Sequence, residues 1–390
     1  MKKSAGIFLG LFSIFILNIP CYADESNYME DVKDKNEVIL KYPEWIDEKT
    51  KDFKYPISPA MPVWGELDTY EEMVEVCTIP QDILKIISTQ ELTELVLNYP
   101  LISEIYLVGE SELDGFETMK TNFNGIHELM ERQDLYEVLK NEYENKDIIK
   151  VSEEEIFTTI SQIELIEMIL TDKEIIDDLT EKEKEETADL IYNKFIEKEK
   201  SNTYCKSSTF VYKNAFMNNT IDTIADVKEN ILQSSVNYVY TPKGTPVPVS
   251  VKTYSGSKWS DALTQEISKE YPQARAVYPA DNRYNCHSYA WYNSSMNNSY
   301  WMNDPSAYWL DGSYREIGTT PISGGKKIIY WKTGSNGKML IKHSGNVMQS
   351  TSTSATIVSK WGQGPVMIHD VNYVPAAYGY GTDTKYYTDK

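Results

Sequence analysis

The first half of the chain has the hydrophobic pattern of helices. Between residues 66 and 200, apolar residues recur every three or four positions, which is the period of an amphipathic helix. Ser88 and Glu91 have the spacing of a capping box at a helix start, and Thr180 and Glu183 repeat it. The longest apolar stripe follows Ser152 and consists of Ile156, Ile160, Ile163, Ile166 and Leu170. The pattern predicts an all-helical region with these stripes in its core.

The second half changes to the two-residue period of strands. Residues 238–251 alternate around a Pro-Lys-Gly turn, which predicts a hairpin, and residues 259–271 predict a helix that ends before Pro272. Three further strands are predicted at Lys327–Trp331, Leu340–Met348 and Thr356–Trp361. Helices followed by antiparallel strands indicate an α+β fold.

Charge divides the chain at about residue 200. Residues 24–200 carry 46 acidic and 18 basic residues, a net charge of −28, whereas residues 201–390 carry 13 and 18, a net charge of +5. Such a step favours two domains of about 180 residues each. The acidic half argues against nucleic acid or an anionic membrane surface as a partner. We expect it to contact either the other domain or another protein.

The N-terminus has the pattern of a signal peptide. Lys2 and Lys3 precede an apolar run at residues 7–19, and small residues precede a cleavage position after Ala23. The run is too short to span a membrane, so we expect a secreted protein with no membrane contact after cleavage. A lipid anchor on Cys21 is the alternative, although the proline directly before it fits that processing poorly.

These observations divide the chain into four segments. They are a signal peptide at residues 1–23, an irregular lead-in at 24–65, an acidic all-helical domain at 66–200 and a second domain at 201–390. Three cysteines remain after cleavage, namely Cys77, Cys205 and Cys286. An odd count in a secreted protein suggests one free thiol. Either Cys77 pairs with Cys205, or all three cysteines are reduced.

Cys286 is the strongest candidate for chemistry. It lies directly before a predicted helix, and a helix N-terminus and a nearby imidazole both favour the reactive thiolate. His343 lies in a strand-like run 57 residues later, and alternation would place it on one face with Ile341 and Gly345, pointing at the cysteine helix. His287 is adjacent to the cysteine and would point about 100° away from it on a helix, so we expect a packing role there.

Other interpretations of these residues stay open. A zinc site could use Cys286, a histidine and His369, but the spacing matches no closed zinc pattern, so we predict no metal and no cofactor. Cys286 could instead be an inert buried residue, and His343 a core histidine.

Three motifs in this order resemble those of NlpC-type and CHAP-type cysteine hydrolases. They are Tyr284-Asn285-Cys286, the strand at residues 325–331 and the stretch at 343–347. Those families have a papain-like core and cleave amide bonds, commonly in cell-wall peptidoglycan. The resemblance implies a papain-like domain at residues 201–390, with Cys286 as nucleophile, His343 as general base and Tyr284 near the oxyanion. It covers roughly 100 of the 390 residues.

The chain also departs from the family pattern. Asn285 replaces the usual acid, and Lys326 replaces the Asp after glycine. The third polar residue of the site, which would orient the imidazole, is Ser359 by position, with His369 or Asp370 as alternatives. The C-terminal half also resembles uncharacterised exported proteins of Gram-positive bacteria that share its Asn-Cys-His-Ser-Tyr-Ala-Trp and Ser-Lys-Trp-Gly phrases.

The sequence therefore predicts an exported cysteine peptidase or amidase. The expected partner is a peptide or peptidoglycan-like substrate, and the expected mechanism is acyl transfer. A catalytically inactive papain-like protein with a surface-binding or structural role is the alternative.

Overall fold

The computed structural model describes residues 35–107, 112–147, 151–200, 237–321, 325–334, 337–375, 378 and 382–390. The predicted signal peptide and Cys205 lie outside the described residues, whereas Cys77 is a buried free thiol. Over these same ranges, every helix is too short or too polar to cross a membrane. The fold is α+β, as predicted, with helices first and an antiparallel sheet after them.

The described part of the first 200 residues forms helices. They are α1 (Lys35–Lys41), α2 (Tyr70–Cys77), α3 (Gln81–Leu84), α4 (Thr89–Leu97), α5 (Glu104–Leu107), α6 (Glu112–Asn122), α7 (Asn124–Met130), α8 (Leu135–Asn145), α9 (Ile156–Leu170), α10 (Lys173–Asp178) and α11 (Glu181–Lys200). Short 3-10 turns lie at Pro43–Trp45, Pro62–Glu66 and Glu153–Glu155. The segment predicted to be an irregular lead-in therefore contains α1 and one complete 3-10 turn, because Val38 and Trp45 are buried against the core.

The predicted helix starts are confirmed. Ser88 and Glu91 form the capping box of α4, and the Thr180 Oγ1 accepts the N–H of Glu183 before α11. The predicted stripe of α9 is buried, and so are residues on its other faces, including Leu165 and Ile169. This helix therefore lies in the centre of the helical region.

The C-terminal half forms a hairpin, two further helices and a sheet. The hairpin joins β1 (Asn237–Tyr240) to β2 (Pro246–Val249), and the helices are α12 (Ser257–Glu270) and α13 (Ala307–Leu310). The sheet strands are β3 (Arg275–Tyr278), β4 (Tyr314–Gly318), β5 (Lys327–Thr333), β6 (Met339–Ser350), β7 (Ala355–Lys360), β8 (Val366–Asp370) and β9 (Asp383–Asp389). They form one antiparallel sheet in the order β3-β8-β7-β6-β5-β9-β4. The predicted hairpin, helix and three strands are confirmed within a few residues.

One hydrophobic core extends across the predicted domain boundary. One face of the sheet contributes Ile328 and Ile357 to the same core as the helical region. The indole N–H of Trp64 donates to the Glu270 carbonyl at 2.8 Å, and the rings of Tyr106 and Trp259 lie 5.0 Å apart. The helical region therefore packs directly on the sheet and on α12.

The opposite face of the sheet carries the segment that contains Cys286. Ile329 of β5 packs there in a second cluster with Trp291, which follows the cysteine. A bulge between Tyr330 and Trp331 shifts the β5–β6 register, so Ile341 joins this second cluster. The prediction that Ile341 shares a face with His343 is therefore wrong.

Candidate active site

Asn285 starts the helix that carries the cysteine. Its Oδ1 accepts the N–H groups of Ser288 at 3.1 Å and Met302 at 3.2 Å, and its Nδ2 donates to the Met302 carbonyl at 2.7 Å. The helix begins with Cys286 and continues as a π-helical turn at Ser288–Tyr292. We call residues 286–292 the cysteine helix. Asn285 thus caps the helix and fixes the loop beside it.

Cys286 is buried, with an exposed fraction of 5%. Burial raises the pKa of its thiol to about 12, against the opposing effects of three backbone N–H groups and one cation. The effects that lower this pKa come from the backbone N–H groups of Ser344, His287 and Cys286 itself and from the positive charge of Lys360. The thiol is therefore protonated at neutral pH, in an environment that contains donors for its anion.

His343 is completely buried on β6, and its ring lies between two tyrosines. It stacks on Tyr378, with centroids 3.9 Å apart and planes 17° apart, and it lies 5.4 Å from the Tyr330 ring. Burial, together with His369 and His287, lowers its pKa well below the usual value, so the ring is neutral at neutral pH. Within the described ranges, neither ring nitrogen has a hydrogen-bond partner.

Successive side chains of β6 point to opposite faces of the sheet, and His343 is not the side chain that faces the cysteine helix. That side chain belongs to Ser344, whose Oγ lies 2.8 Å from His287 Nδ1 and accepts the Trp291 indole N–H at 3.0 Å. The expectation that His343 points at the cysteine helix is therefore wrong. The Ser344 N–H nevertheless lowers the pKa of the Cys286 thiol, so the thiol lies near the backbone of β6, on the face away from the His343 ring.

The residues predicted to orient His343 bind elsewhere. His369 Nδ1 lies 2.8 Å from the Asp370 carbonyl, so this nitrogen carries the proton, and Ser359 donates to Nε2 at 2.7 Å. Burial lowers the pKa of His369 to about 4, which keeps this tautomer neutral. The Asp370 carboxylate accepts the Ser354 hydroxyl at 2.9 Å. These three residues form a network of their own on the sheet face that carries His343.

Tyr284 lies beside a lysine that the sequence reasoning missed. Lys360 Nζ is 4.9 Å from the centroid of the Tyr284 ring and donates to the Gly362 carbonyl at 2.6 Å. Burial raises the pKa of Tyr284, so its phenol is a neutral donor at neutral pH. The Ser-Lys-Trp-Gly phrase contained a signal for Lys360, because a charged residue in a strand bounded by apolar positions is unusual.

A half-buried lysine fastens the far end of the cysteine helix. Lys327 Nζ donates to the Ala290 carbonyl and to Asn346 Oδ1, the latter at 2.7 Å. Burial lowers the pKa of Lys327 to about 8. The lysine thereby satisfies a carbonyl of the π-helical turn.

The side chains around Cys286 do not form a metal site. Across the part of the chain that the structure describes, no three His, Cys, Asp or Glu side chains are grouped to hold a metal ion. Both ring nitrogens of His369, the residue considered for zinc, are engaged with Ser359 and the Asp370 carbonyl. The arrangement instead places the Cys286 thiol near the buried Lys360 on one face of the sheet, with the neutral imidazole of His343 on the other face. Comparison with protein-family models, curated proteins and solved structures gives no match for this chain.

Proposed function

We propose that the protein is an exported thiol hydrolase that cleaves amide bonds through an acyl-enzyme on Cys286. The observation that carries the proposal is the position of this cysteine at the start of a capped helix. The backbone N–H groups of Ser344 and His287 lower the pKa of its thiol. The neighbour of Ser344 on β6 is His343, a neutral imidazole on the other face of the strand whose ring nitrogens have no hydrogen-bond partner among the described residues. Helix N-termini and oriented N–H groups stabilise a thiolate and an oxyanion.

In the proposed reaction, His343 is the general base. The His343 ring lies with Tyr330 and Tyr378 on the face of β6 away from the cysteine helix, so this step requires the ring to come within reach of the sulfur. It then takes the thiol proton as the Cys286 sulfur attacks the amide carbon, and it returns that proton to the departing amine. Water then attacks the thioester and releases the acid and the free thiol. Tyr284 is the proposed donor to the oxyanion, since burial keeps its phenol protonated. The papain-like assignment of this domain is part of the same proposal.

The proposed substrate is a peptide of the bacterial cell wall. This part of the proposal depends on the family resemblance and on the predicted signal peptide. The net charge of +5 in the C-terminal half is compatible with a peptide that carries carboxylates.

A catalytically inactive protein is the second candidate, and two observations favour it. The Cys286 thiol has a pKa raised to about 12, and no hydrogen bond connects it to His343 among the described residues. An inactive protein of this kind would retain the fold as a binding or structural module. Reactivity of the thiol separates the two candidates, because only a nucleophile needs the thiolate.

The test uses the complete mature chain and purified Gram-positive peptidoglycan. New amino groups should appear with the wild type and should be absent with Cys286→Ala. Ser352→Ala, a change in an exposed turn, is the matched control and should retain activity. The proposed hydrolase function would be rejected if the Cys286→Ala variant released amino groups. It would also be rejected if the wild type released none from peptidoglycan or from a mixed peptide library.

A further inference from the structure

Lys360 is a completely buried lysine at the end of β7, beside the candidate nucleophile. Of the hydrogen-bond donors on its ammonium group, one binds the Gly362 carbonyl at 2.6 Å. The Tyr284 ring lies 4.9 Å from Nζ, and Tyr284 precedes Cys286 by two residues. A lysine without exposure normally requires a charge partner or a functional reason for its burial.

The position of this ammonium group is set by the helical region. Gly362 has a φ of +50°, and a Cβ at this position would lie 2.5 Å from the Tyr106 carbonyl oxygen. The N–H of Gln363 donates to that same carbonyl at 2.9 Å. The turn that accepts the Lys360 hydrogen bond is thus held against the helices, which limits movement of Nζ away from the cysteine helix.

The charges near Cys286 come from each element packed around it. His287 on its own helix and His343 on β6 are neutral, because burial lowers both pKa values. Tyr378 is a neutral phenol, since burial raises its pKa. Lys360 on β7 is the cation whose charge lowers the pKa of the Cys286 thiol.

The ionisable groups near Lys360 are Asp281, the Cys286 thiol and Lys252. Asp281 is already engaged in a bidentate pair with Arg283, with Nε at 2.9 and 3.1 Å from its two oxygens. Burial lowers the pKa of Lys360 to about 7, so its charged form gains from any anion that forms beside it. The Cys286 thiolate would be such an anion.

We propose that Lys360 is the cation that stabilises the Cys286 thiolate during the reaction. This inference rests on the proposed function, in which Cys286 is the nucleophile. The thiol proton passes to the general base of the proposed function, and Lys360 keeps its own proton throughout. The thiolate and the ammonium favour each other reciprocally, so forming one raises the population of the other.

The experiment measures alkylation of Cys286 by iodoacetamide in the complete mature chain, followed by peptide mass spectrometry at several pH values. Lys360→Met removes the charge at similar volume, and Lys360→Gln also keeps a donor for the Gly362 carbonyl, should the first variant fail to fold. An opposite charge at close range shifts a pKa by roughly 1–3 units, so alkylation at pH 7 should fall by about tenfold or more. The pH profile should move to higher pH by the same shift.

Lys194→Met is the matched control, because Lys194 is also buried and donates to backbone carbonyls, those of Glu144 and Lys146 in the helical region. Cys286 in this control variant should be alkylated at the wild-type rate. The inference would be overturned if Cys286 in folded Lys360→Met or Lys360→Gln were alkylated at the wild-type rate and with the wild-type pH profile. Hydrolysis is a separate measurement, so slow alkylation in these variants with no amide cleavage would reject the proposed function and leave the role of Lys360 standing.

Discussion

The Oγ of Ser344 lies 2.8 Å from Nδ1 of His287, and this contact joins the central strand of the sheet to the cysteine helix. The same oxygen accepts the Trp291 indole N–H at 3.0 Å. Ser344→Ala should therefore leave two buried polar groups unpaired and lower the free energy of unfolding by about 1–3 kcal/mol. Urea denaturation measures the loss. Ser352→Ala in the exposed turn should unfold like the wild type, and equal stability of both variants would contradict this role.

Buried histidines should make the protein sensitive to acid. Burial lowers the pKa values of His369 and His287 to about 4, whereas unfolded histidine titrates near 6.5. Between pH 6.5 and 4 the unfolded state binds more protons, so stability falls as pH falls through this window and is unaffected by these groups above it.

His369→Gln tests this dependence. Urea titrations at pH 7.5 and 4.5 give the fall in the free energy of unfolding between the two pH values, which we call the acid loss. It should be smaller in the variant than in the wild type, by up to roughly 3 kcal/mol. His127, whose side chain is 70% exposed, supplies the control, because His127→Gln should leave the acid loss unchanged. An acid loss in His369→Gln as large as that of the wild type would refute the assignment.

Glu270 should give the stability of the fold the opposite pH dependence. It is completely buried, its Oε1 has no hydrogen-bond partner in the described ranges, and burial raises its pKa well above the usual value. The folded state keeps this proton as pH rises above 4.5 and the unfolded state loses it, so the carboxyl destabilises the fold at higher pH.

Glu270→Gln should therefore increase stability more at pH 8 than at pH 5, as measured by urea denaturation. Asp261→Asn, an exposed change on the same helix α12, should show no such difference between the two pH values. A constant effect of Glu270→Gln across this range would argue against a proton held at Glu270.

The hydrophobic pattern predicted those elements that have clear boundaries. The α4 capping box and the alternating β6 strand both appear where the sequence placed them. β4 and β9 were not predicted, because Arg315 and Glu316 interrupt the first and Tyr386 and Tyr387 are adjacent in the second. Both strands pair at one edge of the sheet, where tertiary contacts outweigh local pattern.

The helical and C-terminal regions should unfold together. Gly362→Ala places a Cβ 2.5 Å from the Tyr106 carbonyl oxygen and forces an unfavourable φ of +50° on alanine. We expect a loss of about 2 kcal/mol or more, with fluorescence and circular dichroism following one transition. Gly337→Ala is the control for backbone strain, because its φ of +74° lies in a turn where nothing meets the added Cβ. Equal losses in both variants would show that the contact with Tyr106 is unimportant.

Only part of the candidate site could be predicted from the sequence. Chain order and local pattern identified Cys286 and His343, but the face on which His343 lies depends on the bulge in the β5–β6 pairing. Ser359 and His369 were predicted as alternative partners of His343, whereas they bind each other. Lys360 approaches Cys286 only through the packing of β7 on the cysteine helix, which no sequence period encodes.

The central claim is that Cys286 is a nucleophile served by His343. The most direct measurement is the rate of iodoacetamide alkylation at Cys286 in the folded mature chain, with Cys77 of the same molecule as the internal control. Cys77 is likewise buried, and burial raises its pKa further. We predict faster alkylation at Cys286 than at Cys77, and a loss of about tenfold or more at Cys286 in folded His343→Gln. Equal rates at the two thiols, or an unchanged rate in His343→Gln, would contradict the account.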